Sequence, residues 1–477
     1  MERAEAEAIY DQGREVVVAV LLGMDEQIQR LTERVARQEE RIVELERRLG
    51  RNSRNSSSPP SQDPPGAAPR RGKGRSERAQ GGQPGHEGHG RPLLPAWAVD
   101  EVVEHWPARC ACGHAFGEAE RVAVGEPARH QVEELPVMAT RVTEHRCQRV
   151  RCPDCGARQT GSLPAEVAAS AFGPRLQAAI VTLSVRNRIS RRDVVECCEQ
   201  LFSARISTGS VEAILQRAGD ALEAPYAQLL TAVRRARHVN MDETGWRLRG
   251  QRRFLWGAFS ARHAVLRIMA DRDGDRVWEL LGSSTATVTS DRWWAYDQLP
   301  LGRRQVCWAH LTRDFAAHAD GLGAQQELGQ HGLRICDELF WAWEIYQHTG
   351  DRRELQRRVR RLRRELKPIL RRYATKTPRN KRTRGIARNL LKLWPALWTF
   401  TTTTGVQPTN NHAERALRGA GIYRKLALGS QSTGGECRLE RLLSAHTTCR
   451  LQRRSLHAYL VDVFSAHARG DPVPLLA

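Results

Sequence analysis

The sequence His238-Val-Asn-Met-Asp-Glu-Thr-Gly-Trp-Arg-Leu248 opens the part of the chain that decides the fold. Two further stretches rich in β-branched and aromatic residues follow it, Arg253-Phe-Leu-Trp-Gly-Ala-Phe259 and Ala264-Val-Leu-Arg-Ile-Met269. Short polar segments separate the three stretches, and this pattern is typical of antiparallel strands in a meander. We therefore predict three consecutive strands here.

A helix and two more strands are predicted directly after the meander. The helix covers Asp275 to Leu281, and the strands cover Ala286-Thr-Val-Thr-Ser-Asp291 and Arg304-Gln-Val-Cys-Trp308. The order βββαβ, with acids at the ends of the first and fourth strands, is the layout of the ribonuclease-H-like fold. Because adjacent strands would bring those acids together, Asp242 and Asp291 are candidates for one shared site.

A third acid is expected from a helix that packs across the same sheet edge. Two neighbouring carboxylates repel each other unless a cation lies between them, and a divalent metal is the usual solution. Glu414, within Thr409-Asn-Asn-His-Ala-Glu-Arg-Ala-Leu-Arg418, is the best candidate. A local alternative is a capping box with Asn411 as the N-cap residue, and the two interpretations can coexist. Strand alternation points Glu243 to the face opposite Asp242, so we assign it no catalytic role.

The charge of the chain favours a polyanionic partner. Of its 477 residues, 75 are Lys or Arg and 54 are Asp or Glu, which gives a formal net charge of +21. Such an excess favours nucleic acid or an anionic membrane face over a small neutral metabolite. Arg far outnumbers Lys, which suits bidentate phosphate contacts but also follows from codon bias in a GC-rich genome. The longest apolar run near the N-terminus, residues 16–24, is too short to span a bilayer, and no signal peptide is apparent, so we predict a cytoplasmic protein.

The first hundred residues predict a helix followed by a linker. Residues 28–49 carry apolar side chains at heptad a and d positions between charged residues, which predicts a coiled coil that makes the protein a homo-oligomer. The alternative is a helix packed on its own domain. Residues 51–100, rich in Ser, Pro, Gly and Arg, predict a flexible basic linker. Within it, His86 and His89 are better explained as a solvated tract than as metal ligands.

Two cysteine pairs predict a structural zinc site. They occur in Cys110-Ala-Cys112-Gly113 and Cys152-Pro-Asp-Cys155-Gly156, where the turn before each glycine aims two thiolates at one ion. The predicted ligands are Cys110, Cys112, Cys152 and Cys155, and one of them could be replaced by His114, His145 or Cys147. The alternative is a set of reduced, unliganded thiols in a small strand-rich domain.

Helical patterns flank the strands on both sides. Residues 172–225 read as short helices, and Ser207-Thr-Gly-Ser210 could cap one of them, so this region resembles a helix-turn-helix that reads DNA; a helical linker would give the same pattern. The 122 residues between Asp291 and Glu414 predict an inserted helical subdomain. Within it, residues 351–372 contain ten Arg and one Lys against three acids. We predict a helix there with one apolar face and one phosphate-contacting face.

Several of these motifs, in this order, resemble those of one protein family. They are Gly82-Gln-Pro-Gly-His86, the cysteine pairs, Asp242-Glu-Thr, Ser290-Asp291, Cys307-Trp-Ala-His310, Asn410-Asn411 with Glu414-Arg415, Arg418, and Arg424-Lys425 followed by Gly429-Ser430. The chain resembles the DDE transposases of bacterial insertion sequences, specifically the insertion sequence 66 family, over almost its whole length. The resemblance implies that Asp242, Asp291 and Glu414 form a metal-binding catalytic triad, loaded with Mg²⁺ or Mn²⁺, for DNA strand cleavage and strand transfer.

The implied partners are double-stranded DNA with terminal inverted repeats, target DNA and, where required, accessory proteins of the same element, in a nucleoid-associated location. We predict that phosphates are contacted by Arg415, Arg418, Arg424, Lys425, Arg357, Arg361 and Arg364. A catalytically inactive DNA-binding repressor derived from a transposase is the main alternative. An RNA-directed nuclease of the same fold is another.

The predicted architecture is therefore multidomain. It consists of a coiled-coil multimerisation helix (1–50), a basic flexible linker (51–100), a zinc-binding domain (101–165), a helical region (166–230), an α/β ribonuclease-H-like core (231–430) with a helical insertion at about 316–400, and a C-terminal helical segment (431–477).

Overall fold

The computed structural model describes residues 8–49, 52, 92–136, 138–168, 170–375 and 381–477. The described residues fall into two compact units, the larger within 1–68, 143–199 and 205–477 and the smaller within 69–142 and 200–204. Most of the predicted linker, together with His86 and His89, lies outside the described residues.

The smaller unit contains little regular structure in its described part. Two short 3-10 turns cover Ala96–Ala98 and Glu118–Glu120. Between them a tight turn encloses the first cysteine pair, where the Gly113 N–H donates to the Cys110 carbonyl at 2.9 Å and the Cys110 N–H donates to the His114 carbonyl at 2.8 Å. Gly113 has a φ of +97°, which explains why glycine follows the cysteines here.

The N-terminal helix α1 covers Arg14–Leu49. The described apolar side chains of its heptad positions are exposed rather than packed on the rest of the chain, and Leu31 and Val35 retain 52% and 51% of their accessible surface. This exposure disfavours the alternative of a helix packed on its own domain. Self-association through the helix stays a prediction.

A five-stranded mixed sheet is the centre of the larger unit. Its strands are β3 (His238–Leu248), β4 (Gln251–Phe259), β5 (Ala264–Met269), β6 (Thr287–Ser290) and β7 (Arg304–Val306), and their order across the sheet is β5-β4-β3-β6-β7. The first three strands are antiparallel neighbours, whereas β6 and β7 run parallel to β3. All five predicted strands are present, each end within about two residues of its expected place. A sixth and a seventh, β1 (Arg149–Arg151) and β2 (Arg158–Thr160), form a separate exposed hairpin around the second cysteine pair.

Helices before and after the sheet complete the core of the larger unit. Upstream lie α2 (Ala165–Ala168), α3 (Pro174–Val181) with a π-helical turn (Thr182–Arg186), α4 (Arg191–Phe202), α5 (Thr208–Ala221) and α6 (Glu223–Arg235). The Ser207 hydroxyl accepts from the Ser210 N–H at 3.1 Å, which confirms the predicted N-cap of α5. The predicted helix α7 covers Asp275–Leu281, and α12 (Asn411–Ala427), α13 (Thr433–Leu451) and α14 (Leu456–Arg469) follow the insertion. Helix α12 packs on β3 and β4, and α13 packs on β5.

The residues between β7 and α12 form a helical layer with its own apolar core. It contains α8 (Trp308–Ala319), α9 (Ala324–Thr349), α10 (Arg352–Thr375) and α11 (Lys381–Lys392), followed by 3-10 turns at Trp394–Leu397 and Thr399–Thr401. In α10, Leu355, Val359 and Leu362 are at most 2% exposed, as the predicted apolar face requires. None of the helices in the described ranges is both long and apolar enough to cross a bilayer.

Candidate active site

The two aspartates lie at the same level of neighbouring parallel strands. In the β3–β6 ladder, His238 pairs with Thr287 and Asn240 with Thr289, so the same offset continues from Asp242 to Asp291. Neighbouring strands are about 4.8 Å apart. Asp242 lies in the middle of β3 and not at its end, because residues 241–248 continue beyond β6, where they pair with β4. Of the two acids predicted at strand ends, only Asp291 follows the end of a strand, which is β6.

Asp242 is held in an environment that disfavours its negative charge. Burial raises the pKa of this carboxyl well above its usual range, and the charges of Glu243, Asp291 and Glu414 raise it further. The hydrogen bond that the Glu243 N–H donates to Asp242 Oδ1, at 3.0 Å, acts in the opposite direction. Asp242 is therefore close enough to both other predicted acids for their charges to act on it.

Asp291 has the same character but closer positive groups. Burial, followed by the charge of Glu243, raises its pKa to about 6, while the Trp293 N–H, Arg272 and Arg304 lower it. The Trp293 N–H donates to Asp291 Oδ1 at 2.8 Å. A carboxyl that is costly to ionise without a partner is a candidate cation ligand.

Helix α12 brings Glu414 to this edge through a buried asparagine. Asn410, which is fully buried, donates from Nδ2 to the Met241 carbonyl at 2.7 Å and accepts from Asn240 Nδ2 at 2.9 Å. These bonds fix the first turn of α12 beside β3. The predicted capping box is wrong, because the N-cap residue is Asn410 and its side chain makes no capping bond to the helix.

Glu414 is thus free of a capping role and faces two basic groups. Its Oε1 atom lies 3.5 Å from His310 Nδ1 and 3.5 Å from Arg313 Nη2. Neither Glu414 Oε1 nor His310 Nδ1 has a hydrogen-bond partner among the described residues, although both atoms are buried. Buried polar atoms are normally satisfied, so this pair of atoms points to a group that binds there. His310 is part of the motif Cys307-Trp-Ala-His310, but neither it nor Arg313 is predicted from the sequence to be a site residue.

Several residues around Glu414 could hold a metal ion. Within the described ranges, the group whose ligand atoms all lie within 4.8 Å of one another is Cys307, His310 and Glu414. Burial raises the pKa of Cys307 to about 12, and burial together with Arg313 and Arg292 lowers that of His310 to about 3. The thiol is therefore protonated and the imidazole neutral at physiological pH. Asp242, Asp291 and Glu414 do not form such a compact group.

Glu243 belongs to a network of side chains that also acts on Asp291, and its orientation away from Asp242 stays a prediction. Its side chain accepts a 2.7 Å hydrogen bond from the Tyr296 hydroxyl and forms an ion pair with Arg272. The Arg272 guanidinium also lies 4.2 Å from the ring centroid of Trp293. Glu243 nevertheless contributes to the raised pKa values of both aspartates. The charge of Glu243 therefore contributes to the electrostatic field of the site.

The predicted phosphate-contacting residues divide into two groups. In α12, Arg415, Arg418 and Lys425 are exposed, whereas Arg424 turns inward and donates to the Gly245 carbonyl in β3. In α10, the exposed side chains are those of Arg357, Arg361 and Arg364, and Arg357 forms an ion pair with Glu354. Arg424 is therefore a structural link between helix and sheet as well as a cation.

The four cysteines predicted to bind zinc lie in two different units. Cys110 and Cys112 are exposed in the smaller unit, and a backbone hydrogen bond from Cys112 lowers the pKa of Cys110. Cys152 and Cys155 belong to the larger unit, where the Cys155 N–H lowers the pKa of Cys152. Each pair thus favours a thiolate, the form that binds metal. A joint four-cysteine site stays a prediction.

Comparison with known proteins identifies the family to which this chain belongs. Residues 169–437, more than half of the chain, match the family model described as the transposase IS66 family. The chain belongs to the IS66 transposase family, and such membership implies DNA as partner and DNA cleavage and strand transfer as chemistry. Residues 2–92 match a family of unknown function. The chain is also similar to the uncharacterized protein y4hP of Sinorhizobium fredii (strain NBRC 101917 / NGR234), with 23% identity over 429 residues, which are 81% of this chain and 76% of that protein.

Proposed function

We propose that this chain is a DDE transposase that binds transposon ends and catalyses metal-dependent DNA cleavage and strand transfer on a ribonuclease-H-like core. The observation that carries the proposal is the convergence of Asp242, Asp291 and Glu414, from two adjacent strands and a helix far apart in sequence, on one acidic edge. The sheet order β5-β4-β3-β6-β7, with only β3 to β5 antiparallel, supports a ribonuclease-H-like core.

The acids fit a site for divalent cations. The pKa of buried Asp242 is raised by the charges of Asp291 and Glu414, and Glu414 Oε1 has no hydrogen-bond partner among the described residues, so bound cations would stabilise these acids. Two bound Mg²⁺ or Mn²⁺ ions would supply activation of the attacking oxygen and stabilisation of the leaving oxygen at phosphorus. Asp242, Asp291 and Glu414 would hold them, and the exposed cations Arg415 and Arg418 would bind substrate phosphates beside them.

The proposed function also includes self-association, recognition of the transposon ends and a structural zinc site. Residues 28–49 would join copies of the chain, and the helical region 166–230 would contribute to recognition of the terminal repeats. Zn²⁺ would be structural and bound by the two cysteine pairs. Metal analysis of the purified chain tests the zinc site. We expect wild type to contain zinc and Cys152→Ser to lose it. Cys437→Ser, a substitution at another exposed cysteine, should retain zinc.

The catalytic proposal is tested with charge-neutral substitutions. We expect Asp242→Asn and Glu414→Gln to reduce excision from a plasmid that carries the gene with its own flanking DNA by at least about a hundredfold, because each removes a ligand. Glu344→Gln, an exposed position in α9, serves as the matched control and keeps full activity. Retained DNA binding in the inactive variants supports the role in chemistry. Unchanged excision in both variants contradicts it, and a wild type that binds but never excises favours the repressor.

A further inference from the structure

A basic cavity lies apart from the acidic edge, where α13 and α14 join. It has a volume of about 310 Å³, and its wall contains Arg186, Arg450, Arg453 and Arg454, with His446 and Ser455. Arg186 comes from the π-helical turn after α3, so segments far apart in the sequence build the cavity. A pocket of this size admits one small group and not a base pair.

The charge in this cavity is not balanced by the protein. Within the described part of the chain, no carboxylate lies within 4.0 Å of the guanidinium groups of Arg186, Arg450, Arg453 or Arg454; all four residues are exposed. Clustered like charges destabilise a fold unless an opposite charge joins them. The cavity is therefore suited to an anion.

The titratable groups of the wall leave this positive charge intact. Burial, together with the charges of Arg450, Arg186 and Arg188, lowers the pKa of His446 to about 4. The imidazole is thus neutral at physiological pH. Burial raises the pKa of Cys449 to about 11, so its thiol is neither a metal ligand nor a nucleophile in this setting. The Ser455 hydroxyl is engaged in capping α14, where it accepts from the Ala458 N–H at 3.2 Å. The guanidinium groups are therefore the charged donors of the wall, and the Ser455 O–H is a neutral donor beside them.

The cavity is connected to the helix that carries Glu414. Arg450 Nη2 donates to the Arg415 carbonyl at 2.9 Å and to the Ala416 carbonyl at 3.3 Å, and these two residues directly follow Glu414 in α12. On the same helix, Arg188 approaches Gly419, with its Nη1 atom 3.7 Å from the position that a Cβ would occupy there. The exposed Arg415 and Arg418 lie on the same helix, so cations extend from the acidic edge towards the cavity.

We propose that this cavity binds a backbone phosphate of the DNA substrate. The bound phosphate would hold the DNA strand against α12, next to the acids. Guanidinium groups form paired hydrogen bonds with phosphate oxygens, which explains a wall built from arginine. The inference rests on the proposed transposase function, because that function supplies the phosphodiester. It adds an anchor outside the predicted phosphate contacts of α10 and α12.

The test measures DNA binding alone, in EDTA, so that no chemistry intervenes. The full-length double variant Arg453→Gln/Arg454→Gln is compared with wild type by fluorescence anisotropy on a labelled random-sequence duplex over a range of salt concentrations. Each lost phosphate contact reduces the slope of log K against log salt by about 0.9. We expect a slope reduced by roughly one to two and an affinity reduced about five- to tenfold at ~0.1 M salt.

The matched control removes the same charge elsewhere. In Arg146→Gln/Arg469→Gln, the substituted side chains already pair with Glu144 and Asp471, so slope and affinity should stay close to wild type. Circular dichroism and thermal unfolding establish that both double variants are folded. An unchanged slope in the cavity variant overturns the proposal.

Two further outcomes distinguish this proposal from binding of free phosphate and from the transposase proposal. If inorganic phosphate raises the Tm of wild type but not of the cavity variant, while the DNA slope is unaltered, the cavity binds free phosphate and the assignment to DNA is overturned. Because the measurement excludes catalysis, a failure of the acid variants to abolish excision would overturn the transposase proposal without altering this result.

Discussion

At the scale of single residues, Asp291 illustrates a conflict between stability and chemistry. Its pKa is 3.8 in the absence of burial and rises to about 6 in the folded chain. The folded state therefore holds the proton to higher pH than the unfolded state, so this carboxyl makes the metal-free protein less stable as pH rises through that interval, and the loss stays constant above it. Removing its charge should stabilise the chain while removing a catalytic ligand.

We predict that Asp291→Asn raises the stability of the metal-free protein by about 1–3 kcal/mol near neutral pH and has little effect at about pH 4. Urea unfolding in EDTA at a series of pH values measures this difference. Added Mg²⁺ should stabilise wild type more than the variant, because only wild type retains the full ligand set. A variant that is less stable at every pH would show that Asp291 is held by its neighbours and not opposed by them.

Asn410 is a second residue whose role the structure defines. In Asn410→Ala, Asn240 Nδ2 loses its acceptor and the Met241 carbonyl loses its donor, both in a buried setting. We predict a loss of about 2–4 kcal/mol of stability. The exposed neighbour Asn411 provides the control, since Asn411→Ala should change stability by no more than about 0.5 kcal/mol. Equal effects of the two substitutions in denaturant unfolding would contradict the tertiary role of Asn410.

At the scale of elements, helix α10 has one face that packs in the helical layer and an opposite face that we expect to bind DNA. Its apolar face is buried in the helical layer, whereas Arg361 and Arg364 project from the opposite face without a carboxylate partner among the described residues. We predict that Arg361→Gln/Arg364→Gln reduces the salt slope of DNA binding by roughly two and changes stability by less than about 0.5 kcal/mol. In contrast, Leu366→Ala in the buried face should cost about 2–5 kcal/mol. Loss of fold in the arginine variant would mean that this face packs rather than binds.

The strands and the helices between them could be predicted from the sequence because their signals are local. Alternating β-branched and aromatic residues located β3, β4 and β5 to within about two residues. The N-cap of α12 is Asn410, one residue before the predicted position. The sequence does not reveal this, because the Asn410 side chain donates to the Met241 carbonyl of β3 and does not cap its own helix. His310 and Arg313 were overlooked because their contact with Glu414 joins elements about a hundred residues apart. For the same reason, the cavity formed by Arg186 with Arg450 leaves no local pattern in the sequence.

At the scale of the whole molecule, the positive charge has definite locations. The net charge of +21 indicated only a polyanionic partner. In the structure, exposed arginines concentrate on one face of α10, along α12 and around the basic cavity, while the acids converge at the edge of the sheet. Cations on α12, the helix that carries Glu414, are suited to holding a phosphodiester beside metal ions. This distribution favours an enzyme that acts on DNA over a protein that only binds it.

The remaining property of the whole molecule is its assembly through α1. An apolar seam of Ile28, Leu31 and Val35 exposed to water is unfavourable, and pairing with a second copy would bury it. We predict that wild type is an oligomer and that Leu31→Glu reduces its mass to that of a monomer, because the substitution places a charge in the seam. Light scattering after gel filtration measures the mass directly. Gln29→Glu changes the charge by the same amount two residues away, outside the heptad a and d positions, and should leave the oligomer intact. A monomeric wild type, or equal masses for wild type and both variants, would show that α1 does not mediate self-association.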